Sequence, residues 1–402
     1  MHETSPCNDD AAMNMIPPGK LFLIAGEASG DSHGAHLVSE LKQLLPNLEC
    51  RGLGGVKMAQ AGVQLIHDLT KEAVLGAGDV LRKYFTFRSI FYDALQAVES
   101  FQPDAIVLID SPGFNLRFAK KINRRFPVIY YVSPQIWAWG GRRIHTIRRT
   151  VDHMIVFFEF EADLYRRKGV PVTWVGHPLV GQMTPSKRRD ELRSEWLHNG
   201  SDETKVVALL SGSRRTEVER ILPEMLRVAK AIDTRRPRVH FFVSESPTLP
   251  PELYERIIQK AQPTYPITRT RNLSTDLLFA SDFAMVSSGT ATLEAALVSV
   301  PFVILYKTAW STFFLGRHLI QIPYIGLVNV VAGRKIVPEF IQHEVRTETI
   351  AQEAAYLLDH QDLREKMILD LKAVQTKLGS EGASRRAANV VVELIQKTVR
   401  LP

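Results

Sequence analysis

The chain has 402 residues, a length that favours two domains over one small core. Its 45% hydrophobic and 23% charged residues are typical of a soluble globular protein, and its formal net charge of +7 favours an anionic partner, such as a phosphate, a nucleic acid or an acidic membrane surface. With only Cys7 and Cys50, the sequence excludes a disulfide framework and a cysteine metal site, and a reducing cytoplasm fits best.

Residues 1–18 carry three acidic residues and three prolines, without the basic start and apolar run of a signal peptide. We therefore expect a disordered N-terminal tail. No apolar stretch of the chain approaches the ~20 residues that a membrane-spanning helix needs. The sequence predicts a protein that can touch a membrane but does not cross it.

The first predicted strand, Leu21–Ala25, runs into a glycine-rich turn, and we expect a helix to start at Asp31 or Ser32. The candidate residues of this turn are Gly26, Ser29 and Gly30. A strand that enters a helix through such a turn forms an anion site, because free N–H groups and the helix dipole point at the turn. An ordinary strand-to-helix turn is the alternative. A second glycine turn at residues 51–55 is expected to be structural.

Strand-like runs alternate with helical patterns in both halves of the chain. The predicted strands are Leu21–Ala25, Ala105–Ile109, Val128–Val132, Met154–Phe157, Val172–Val175, Val206–Leu210, Val239–Val243, Phe283–Val286 and Phe302–Leu305. The predicted helices of the first half are Gly34–Leu45, Arg88–Ser100, Asn115–Arg125 and Phe160–Lys168. Almost wholly apolar strands indicate parallel sheets that are covered on both faces. The fold class is therefore α/β, with two Rossmann-like, doubly wound domains facing each other across a cleft.

Residues 183–204 interrupt this alternation with a proline, a basic run and an Asn-Gly pair, and we interpret them as a linker. The N-terminal domain would then span residues 19–182 and the C-terminal domain residues 205–380. The chain is expected to be helical from Thr347 onward. A final helix within residues 381–402 could pack back on the N-terminal domain or on a partner's.

The stretch 74–91 mixes apolar and aromatic residues with cations, as interfacial helices that bind acidic lipids do. The candidate residues of this membrane or acceptor surface are Leu75, Leu81, Arg82, Lys83, Tyr84 and Phe85. A core helix with one solvated edge is the alternative, and the pattern alone does not decide between the two.

Asp110 directly follows the apolar strand Ala105–Ile109. The carboxyl ends of parallel strands lie at the mouth of the cleft in this architecture. Asp110 is therefore a candidate general base, with a pKa raised by partial burial. Helix capping in an Asp-Ser-Pro turn is the structural alternative.

Trp137 and Trp139 follow the next strand and could line a sugar or acyl surface or fill the core of a loop. A basic cluster comes next: Arg142, Arg143, His145, Arg148 and Arg149. This cluster could steer a phosphate or a lipid head group, although a solvated helix face is the usual explanation of such a run. His177 is either a cleft residue or a hydrogen-bonding residue near the hinge.

The second half repeats the strand–turn–helix pattern twice. After Val206–Leu210 come Ser213 and Arg214, whose guanidinium could hold a pyrophosphate bidentately. After the later strand, hydrogen-bond donors at a helix start are offered by Ser288, Gly289 and Thr290. Glu294 lies one turn beyond Thr290, where its carboxylate could accept both ribose hydroxyls or merely match the helix dipole. Both elements in one domain favour a nucleotide-sugar site.

Together these motifs resemble the lipid-A-disaccharide synthase family. The motifs that carry the resemblance are Gly26–Asp31, Asp110–Asn115, Tyr131–Pro134 with Trp137–Trp139, Val175–Pro178, Gly212–Arg214 with Glu217–Glu219, Ser288–Ala291 with Glu294, and Asn329 with Ala332–Arg334 and Pro338–Glu339. They occur in order, at compatible spacing, from Lys20 to the C-terminus. Each motif is weak alone, but their combination is specific.

The resemblance implies an inverting GT-B glycosyltransferase that needs neither a metal nor a cofactor. It would condense UDP-2,3-diacylglucosamine with 2,3-diacylglucosamine 1-phosphate (lipid X), giving UDP and the β(1→6)-linked precursor of lipid A. Asp110 matches the position of the catalytic base, and Glu27 matches an acidic position important for activity. Arg214, Glu294 and Asn329 match positions linked to the UDP-sugar donor.

The same resemblance implies a cytoplasmic enzyme that binds the inner-membrane surface peripherally, with no nucleic-acid partner. It allows a homodimer and leaves the oligomeric state open. Two positions depart from the family pattern. Gly113 stands where many members carry a second Asp, so any role of that carboxylate is absent or supplied elsewhere. Ser211 stands where a Pro is frequent, which we expect to matter little.

Three alternatives stay open at the level of the sequence. Another GT-B enzyme, such as the peptidoglycan N-acetylglucosaminyl transferase or a UDP-N-acetylglucosamine epimerase, would share the architecture but not the Gly26–Asp31 and Trp137–Trp139 motifs. A non-catalytic, nucleotide-binding membrane adaptor is disfavoured by Asp110 and Arg214, while Gly113 leaves it some room. Nucleic-acid binding lacks a recognisable module and predicts a steep salt dependence.

Overall fold

A computed structural model describes residues 19–70, 80–197, 203–236, 238–309 and 322–399, with the backbone alone for residues 80–84 and 398–399. The described strands form two sheets, and each pairing between neighbouring strands is parallel. Parallel sheets bury both faces under helices, which explains the almost wholly apolar strands at their centres. The domain built on each sheet is called the N-terminal or the C-terminal domain below.

The first sheet has seven strands in the order β3-β2-β1-β4-β5-β6-β7. Its strands are β1 Lys20–Ala25, β2 Glu49–Gly54, β3 Gln64–Asp68, β4 Ala105–Ile109, β5 Val128–Tyr131, β6 His153–Val156 and β7 Val172–Trp174. The second sheet has six strands in the order β10-β9-β8-β11-β12-β13. Its strands are β8 Lys205–Leu210, β9 Val239–Glu245, β10 Ile267–Arg271, β11 Phe283–Ser287, β12 Phe302–Tyr306 and β13 Glu339–Ile341.

Helices cover both faces of each sheet and continue beyond the second one. Those up to the end of the first sheet are α1 Ala28–Leu44, α2 Val56–Gln60, α3 Val80–Phe101, α4 Pro112–Ile122, α5 Arg143–Thr150 and α6 Glu159–Arg167. The later helices are α7 Arg189–Leu197, α8 Arg215–Arg235, α9 Pro251–Ala261, α10 Ser274–Ala280, α11 Ala291–Leu297, α12 Leu327–Ala332, α13 Thr347–Asp359, α14 Gln361–Lys377 and α15 Ala383–Val399. A short 3₁₀ helix spans Gln342–Glu344. The prediction of a doubly wound α/β fold is confirmed.

The expected glycine turn at residues 51–55 is wrong, because residues 49–54 form β2. Gly52 pairs with Leu23 of β1, and a Cβ atom on Gly52 would lie 1.9 Å from the Leu23 carbonyl oxygen. The glycine therefore permits close strand pairing and does not mark a turn.

The first helix also begins earlier than predicted, at Ala28 and not at Asp31 or Ser32. The Asp31 side chain is 5% exposed, and its carboxylate accepts hydrogen bonds from the backbone N–H groups of Gly55, Lys57 and Met58 at 2.8, 3.1 and 3.0 Å. These groups lie at the start of α2, so Asp31 caps a helix other than its own.

The segment expected to be a linker, 183–204, contains α7 and packs on the C-terminal domain. Its Arg193 lies 2.9 Å from Asp282, which also pairs with Arg189. Ser186 donates a backbone hydrogen bond of 2.7 Å to Asp276. These polar contacts fix the segment beside the second sheet, so the linker interpretation needs correction over its helical part.

The last helix, α15, returns to the N-terminal domain and lies on α1. Arg385 donates hydrogen bonds to Glu40 and Gln43 of α1, both at 3.2 Å. Ala387 and Val391, each 0% exposed, belong to the same hydrophobic core as α1. Of the two placements considered for this helix, packing on the chain's own N-terminal domain is the one observed.

Helix α3 contains most of the stretch 74–91, for which the sequence left a core helix and a membrane surface as alternatives. Ile90, Ala94 and Val98 form a buried stripe along it, as expected of a core helix. Phe85, by contrast, is 62% exposed. Leu75 lies outside the described residues, as do the side chains of Leu81, Arg82, Lys83 and Tyr84. None of the helices in the described ranges is long and apolar enough to cross a membrane.

Candidate active site

A cavity of about 810 Å³ lies between the two sheets, at the carboxyl ends of their strands. Its lining includes Glu27, Ser29, Asp110 and Ser111 from the N-terminal domain, and Arg214, Thr290 and Leu327 from the C-terminal domain. Five predicted site residues therefore meet in one space: Glu27, Ser29, Asp110, Arg214 and Thr290. We call this space the central cavity.

Asp110 directly follows β4 in a strained backbone conformation. It and Ser111 both have left-handed φ angles, of +50° and +44°. The Asp110 carbonyl oxygen accepts hydrogen bonds from the Tyr130 hydroxyl at 2.6 Å and from Asn115 Nδ2 at 2.7 Å. A Cβ atom on Gly26 would lie 2.3 Å from Ser111 Oγ. These contacts hold the strained turn in place and explain why small residues surround it.

The Asp110 carboxyl group has a pKa above its usual range. Burial is the largest cause, and the negative charge of Glu27 adds to it. Hydrogen bonds from the Ser111 backbone and the Ser29 hydroxyl act in the opposite direction. The glycine-rich turn thus affects the pKa of Asp110 through two side chains with opposite effects: Glu27 raises it and Ser29 lowers it.

Two imidazoles also line the central cavity: that of half-buried His33, which was not predicted for the site, and that of buried His177, for which a cleft position was one of two alternatives. Burial lowers the pKa of His33 to about 4, and it lowers that of His177 to about 3 with a smaller effect of His33. Both rings pack against Phe157, with centroids 5.1 and 5.4 Å away. With these pKa values both rings are neutral at pH 7 in this structure.

Both tryptophans of the Trp-Ala-Trp motif line the central cavity. Trp137 donates a hydrogen bond of 3.0 Å from Nε1 to the carboxyl group of Glu161, another residue not predicted for the site. Burial raises the pKa of Glu161 to about 7, against opposing hydrogen bonds from Trp137 and others. Trp139 is 41% exposed. The motif thus presents aromatic surface to the cavity, one of the two roles considered for it.

A second cavity, of about 520 Å³, lies at the carboxyl ends of the C-terminal sheet. Its lining includes the predicted donor residues Ser213, Arg214, Ser288, Gly289, Thr290 and Glu294. We call it the donor cavity. Arg214 and Thr290 line both cavities, so the two spaces meet at these residues.

Glu294 and Arg214 differ in how their charges are satisfied. Within the described part of the chain, the Glu294 carboxylate has no hydrogen-bond or ion-pair partner, and burial raises its pKa. The Arg214 guanidinium lies 3.2 Å from Glu217, which also accepts hydrogen bonds from the backbone N–H groups of Ser213 and Arg214. The N-terminus of α8 therefore already holds a carboxylate, whereas Glu294 is available to hydroxyl donors.

Asn329 does not line either cavity. Its side chain is 0% exposed and binds the chain around Val337, donating to the Val337 carbonyl at 2.8 Å and accepting from the Ile336 and Val337 N–H groups. The Asn329 side chain therefore holds the loop after α12, and its expected role in donor binding stays a prediction. Gly26 and Gly30 are likewise absent from the lining. Gly26 allows close packing against Ser111 behind it, whereas a Cβ atom on Gly30 would make only ordinary contacts, at 3.5 Å or more.

An aromatic groove of about 520 Å³ opens beside the central cavity, between α3 and α4. It is lined by Phe87, Arg88, Phe91, Tyr92, Ser111, Gly113, Phe114 and Arg117. Ser111 and Gly113 also line the central cavity, so the two spaces adjoin at these residues. A Cβ atom on Gly113 would meet nothing within 4 Å, so a larger side chain fits at this junction.

A model of the lipid-A-disaccharide synthetase family matches residues 21–393. The chain belongs to this family. A lipid-A-disaccharide synthase of Geobacter sulfurreducens is 39% identical over 382 residues, covering 94% of this chain and 98% of that relative. The chain is therefore a glycosyltransferase of lipid A disaccharide synthesis, and the adaptor and nucleic-acid alternatives lose their support.

Solved structures agree on the fold. A glycosyltransferase from Rickettsia africae aligns with a TM-score of 0.58 at 11% identity, covering 96% of this chain and 99% of its own. A UDP-GlcNAc 2-epimerase from Neisseria meningitidis, solved with UDP-GlcNAc bound, aligns with a TM-score of 0.58 at 12% identity, covering 94% and 99%. This member of the lipid-A-disaccharide synthase family thus has the GT-B architecture that the resemblance implied.

His33 and Glu161 line the central cavity but were not predicted for the site. Glu161 lies in the first turn of α6, just after β6, so the signal that identified Asp110, a position beyond a strand at the cleft edge, was present there too. It was overlooked because a polar residue in a first helical turn usually has a capping role. His33 lies inside α1, eight residues after β1 ends, where the position relative to the strand gives no such signal.

Proposed function

We propose that the protein transfers the 2,3-diacylglucosaminyl group of UDP-2,3-diacylglucosamine to the 6-hydroxyl of 2,3-diacylglucosamine 1-phosphate. Asp110 takes the hydroxyl proton while the oxygen forms a bond to the donor's anomeric carbon. The bond from that carbon to the diphosphate oxygen breaks, and UDP leaves with the electron pair. Attack from the side opposite UDP inverts the anomeric configuration and gives the β(1→6) linkage.

The observation that carries this proposal is the meeting of two cavities at Arg214 and Thr290. The nucleoside would occupy the donor cavity, where the Glu294 carboxylate accepts hydrogen bonds from the ribose hydroxyls. The diphosphate would then lie at the junction, beside the Arg214 guanidinium. This arrangement directs the donor sugar into the central cavity, toward the wall that bears Asp110.

The raised pKa of Asp110 supports its role as a base. A carboxylate with a higher pKa takes up a proton more readily, and a base is most effective when its pKa approaches the working pH. The strained turn that carries Asp110 is fixed by Tyr130 and Asn115, which hold the backbone without engaging the carboxylate itself. The carboxylate is thereby positioned for the incoming alcohol.

The aromatic groove suits the acyl chains of these substrates. It adjoins the central cavity at Ser111 and Gly113, and its walls carry aromatic rings from Phe87, Phe91 and Phe114. The exposed ring of Phe85 lies on the same helix, α3. We infer that this face of the N-terminal domain rests on an anionic membrane surface, from which the acylated substrates enter the cleft.

The test is a reaction of purified full-length protein with both substrates in detergent micelles. Mass spectrometry should detect UDP and a tetra-acylated disaccharide 1-phosphate in equal amounts. UDP released without disaccharide would indicate hydrolysis and would refute the transfer. For the donor site, Arg214→Ala should weaken UDP binding roughly tenfold or more, as loss of charged hydrogen bonds does. Arg215→Ala is the matched control, because Arg215 pairs with Glu219 and lines neither cavity.

A further inference from the structure

The basic cluster after the Trp-Ala-Trp motif places one arginine, Arg143, in the lining of the central cavity. Arg143 begins α5, and its guanidinium lies 4.2 Å from the centre of the Trp139 ring. Stacking on an aromatic ring restricts an arginine side chain and leaves the edge of its guanidinium available to a planar or tetrahedral anion. The neighbouring Arg142 is exposed and does not line the cavity.

The positive charge of Arg143 is not neutralised by the described residues, none of which forms an ion pair with it. Its Nη1 atom is buried and has no hydrogen-bond partner. Other arginines of the same domain are paired, such as Arg124 with Asp152 at 3.6 Å and Arg166 with Asp163 at 2.9 Å. A buried guanidinium donor without a partner is costly, and an anionic ligand would remove that cost.

Arg143 and Asp110 both line the central cavity from the N-terminal domain. Burial raises the pKa of Tyr130 well above its usual value, and the nearby Asp110 adds to this while the charge of Arg143 opposes it. The Tyr130 hydroxyl in turn donates to the Asp110 carbonyl. The cation and the base are therefore on one wall of the cavity, whereas Arg214 approaches from the other domain. Two anions can be held at once, one on each wall.

We propose that Arg143 binds the phosphate of the acceptor. This inference rests on the proposed function, in which the acceptor's 6-hydroxyl lies at Asp110 and its phosphate is attached to carbon 1 of the same ring. A phosphate monoester carries up to two negative charges and matches the two-pronged donor geometry of a guanidinium. The cavity, at about 810 Å³, has room for the donor sugar and a phosphorylated hexose.

The experiment compares two acceptors, 2,3-diacylglucosamine 1-phosphate and the same molecule without its phosphate. Arg143→Ala should lower kcat/KM for the phosphorylated acceptor roughly 10- to 100-fold, the range for lost charged hydrogen bonds. For the acceptor without phosphate, wild type and variant should agree within about threefold, since the missing contact is absent in both. Arg143→Lys keeps the charge but not the two-pronged geometry. Its kcat/KM for the phosphorylated acceptor should therefore lie between the values of wild type and Arg143→Ala.

Controls separate this contact from general damage. Arg142→Ala should behave as wild type, and the KM for UDP-2,3-diacylglucosamine should be unchanged in every variant. Equal losses on both acceptors in Arg143→Ala and Arg143→Lys would overturn the inference. Loss of phosphate preference in Arg117→Ala would also overturn it, because that result would place the phosphate in the aromatic groove. If wild type made no disaccharide from either acceptor, the proposed function would fail, and calorimetric binding of the phosphorylated acceptor would still show whether Arg143 contacts it.

Discussion

At the scale of single residues, the site combines a base that is hard to ionise with a turn that is hard to deform. Burial and Glu27 disfavour the charged form of Asp110, while Ser29 and Ser111 hydrogen-bond to it and favour it. The adjacent backbone keeps two left-handed residues in sequence, an arrangement that costs roughly 1–3 kcal/mol for each residue. Strain of this kind persists where surrounding contacts fix the geometry that the chemistry needs.

Replacing Asp110 by Asn separates binding from chemistry. Asn keeps the shape of the side chain but cannot take up the proton of an alcohol. We expect turnover to fall at least ~100-fold, as is usual on loss of a general base, while UDP binds with nearly unchanged affinity. Product formation by mass spectrometry and UDP binding by calorimetry check the two parts. A variant with near-normal turnover would remove Asp110 from the role of base.

Glu27 and Ser29 offer a matched pair for the pH dependence of the rate. Glu27→Gln removes a negative charge that raises the pKa of Asp110, so the base stays ionised to lower pH. The acid limb of the kcat/KM profile should therefore move to lower pH. Ser29→Ala removes a hydrogen bond that lowers this pKa, so its acid limb should move to higher pH. Shifts in the same direction in both variants would contradict this account.

Asp110 and Asn329 show what sequence reasoning reaches at this scale. Asp110 was predicted for the site because it directly follows an apolar strand, and strand ends define the cleft. Asn329 was expected to contact the donor by resemblance alone, but its amide binds the backbone at Ile336 and Val337. No local pattern around residue 329 reveals that the side chain points inward, because its partners lie in the loop that follows α12.

At the scale of elements, the glycine-rich segment has a second task besides shaping the cleft. Asp31 holds the first turn of α2, which follows β2 by a single residue. The short helix has five residues and cannot be stable by itself. The buried carboxylate therefore connects the start of α1 to the strand that pairs with β1.

Asp31→Ala should destabilise the protein by about 1–3 kcal/mol, because three backbone N–H groups at this helix start lose their acceptor. Asp31→Asn should cost less, since one oxygen still accepts. Urea unfolding of both variants measures these differences. Glu49→Ala, at an exposed acidic residue on β2, is the control and should change stability by less than about 0.5 kcal/mol. Equal stability of Asp31→Ala and wild type would show that water replaces the cap.

The elements that sequence reasoning found and missed differ in their surroundings. Strand β4 was predicted with its observed bounds, because a strand buried on both faces is apolar throughout. Strand β2 was not, since it begins with polar residues and contains Gly52 and Gly54, which usually indicate turns. The edge strand β13 has three residues and owes its conformation to pairing with β12. Such pairing is not visible in a local pattern.

At the scale of the whole molecule, the chain returns to the N-terminal domain after completing the C-terminal one. Arg386 donates to the carbonyl oxygen of Val175 at 2.8 Å, and His177 donates its backbone N–H to Leu378 at the same distance. These contacts join the segment in which the chain leaves the N-terminal domain to the segment in which it returns there, beside the cavity residue His177. The sequence allowed the last helix to pack either on its own N-terminal domain or on a partner's, because an amphipathic helix does not specify which surface it covers.

The proposed membrane attachment belongs to the scale of the whole molecule, because it depends on which surface is exposed once α3 and α15 are packed. Helix α3 divides along its length: Ile90, Ala94 and Val98 are buried, whereas the ring of Phe85 is 62% exposed near the start of the helix. The aromatic groove lies on the same helix and adjoins the central cavity at Ser111, the neighbour of Asp110. A membrane at this face would deliver acylated substrates directly to the groove.

Phe85→Ser should therefore weaken binding to vesicles of anionic phospholipid about tenfold, since burying a Phe side chain is worth roughly 1.5–3 kcal/mol. The matched control is Leu369→Ser on α14, which removes a side chain of similar exposure, 65%, from the other domain. Flotation with vesicles measures both, and turnover in detergent should be unchanged in both because neither side chain lines a cavity. If neither variant lost vesicle binding, the attraction would arise from the net charge of +7, which neither substitution changes, and α3 would have no special part in it. An equal loss in both variants would also contradict a special role of α3, because it would show that exposed apolar side chains act alike on either domain.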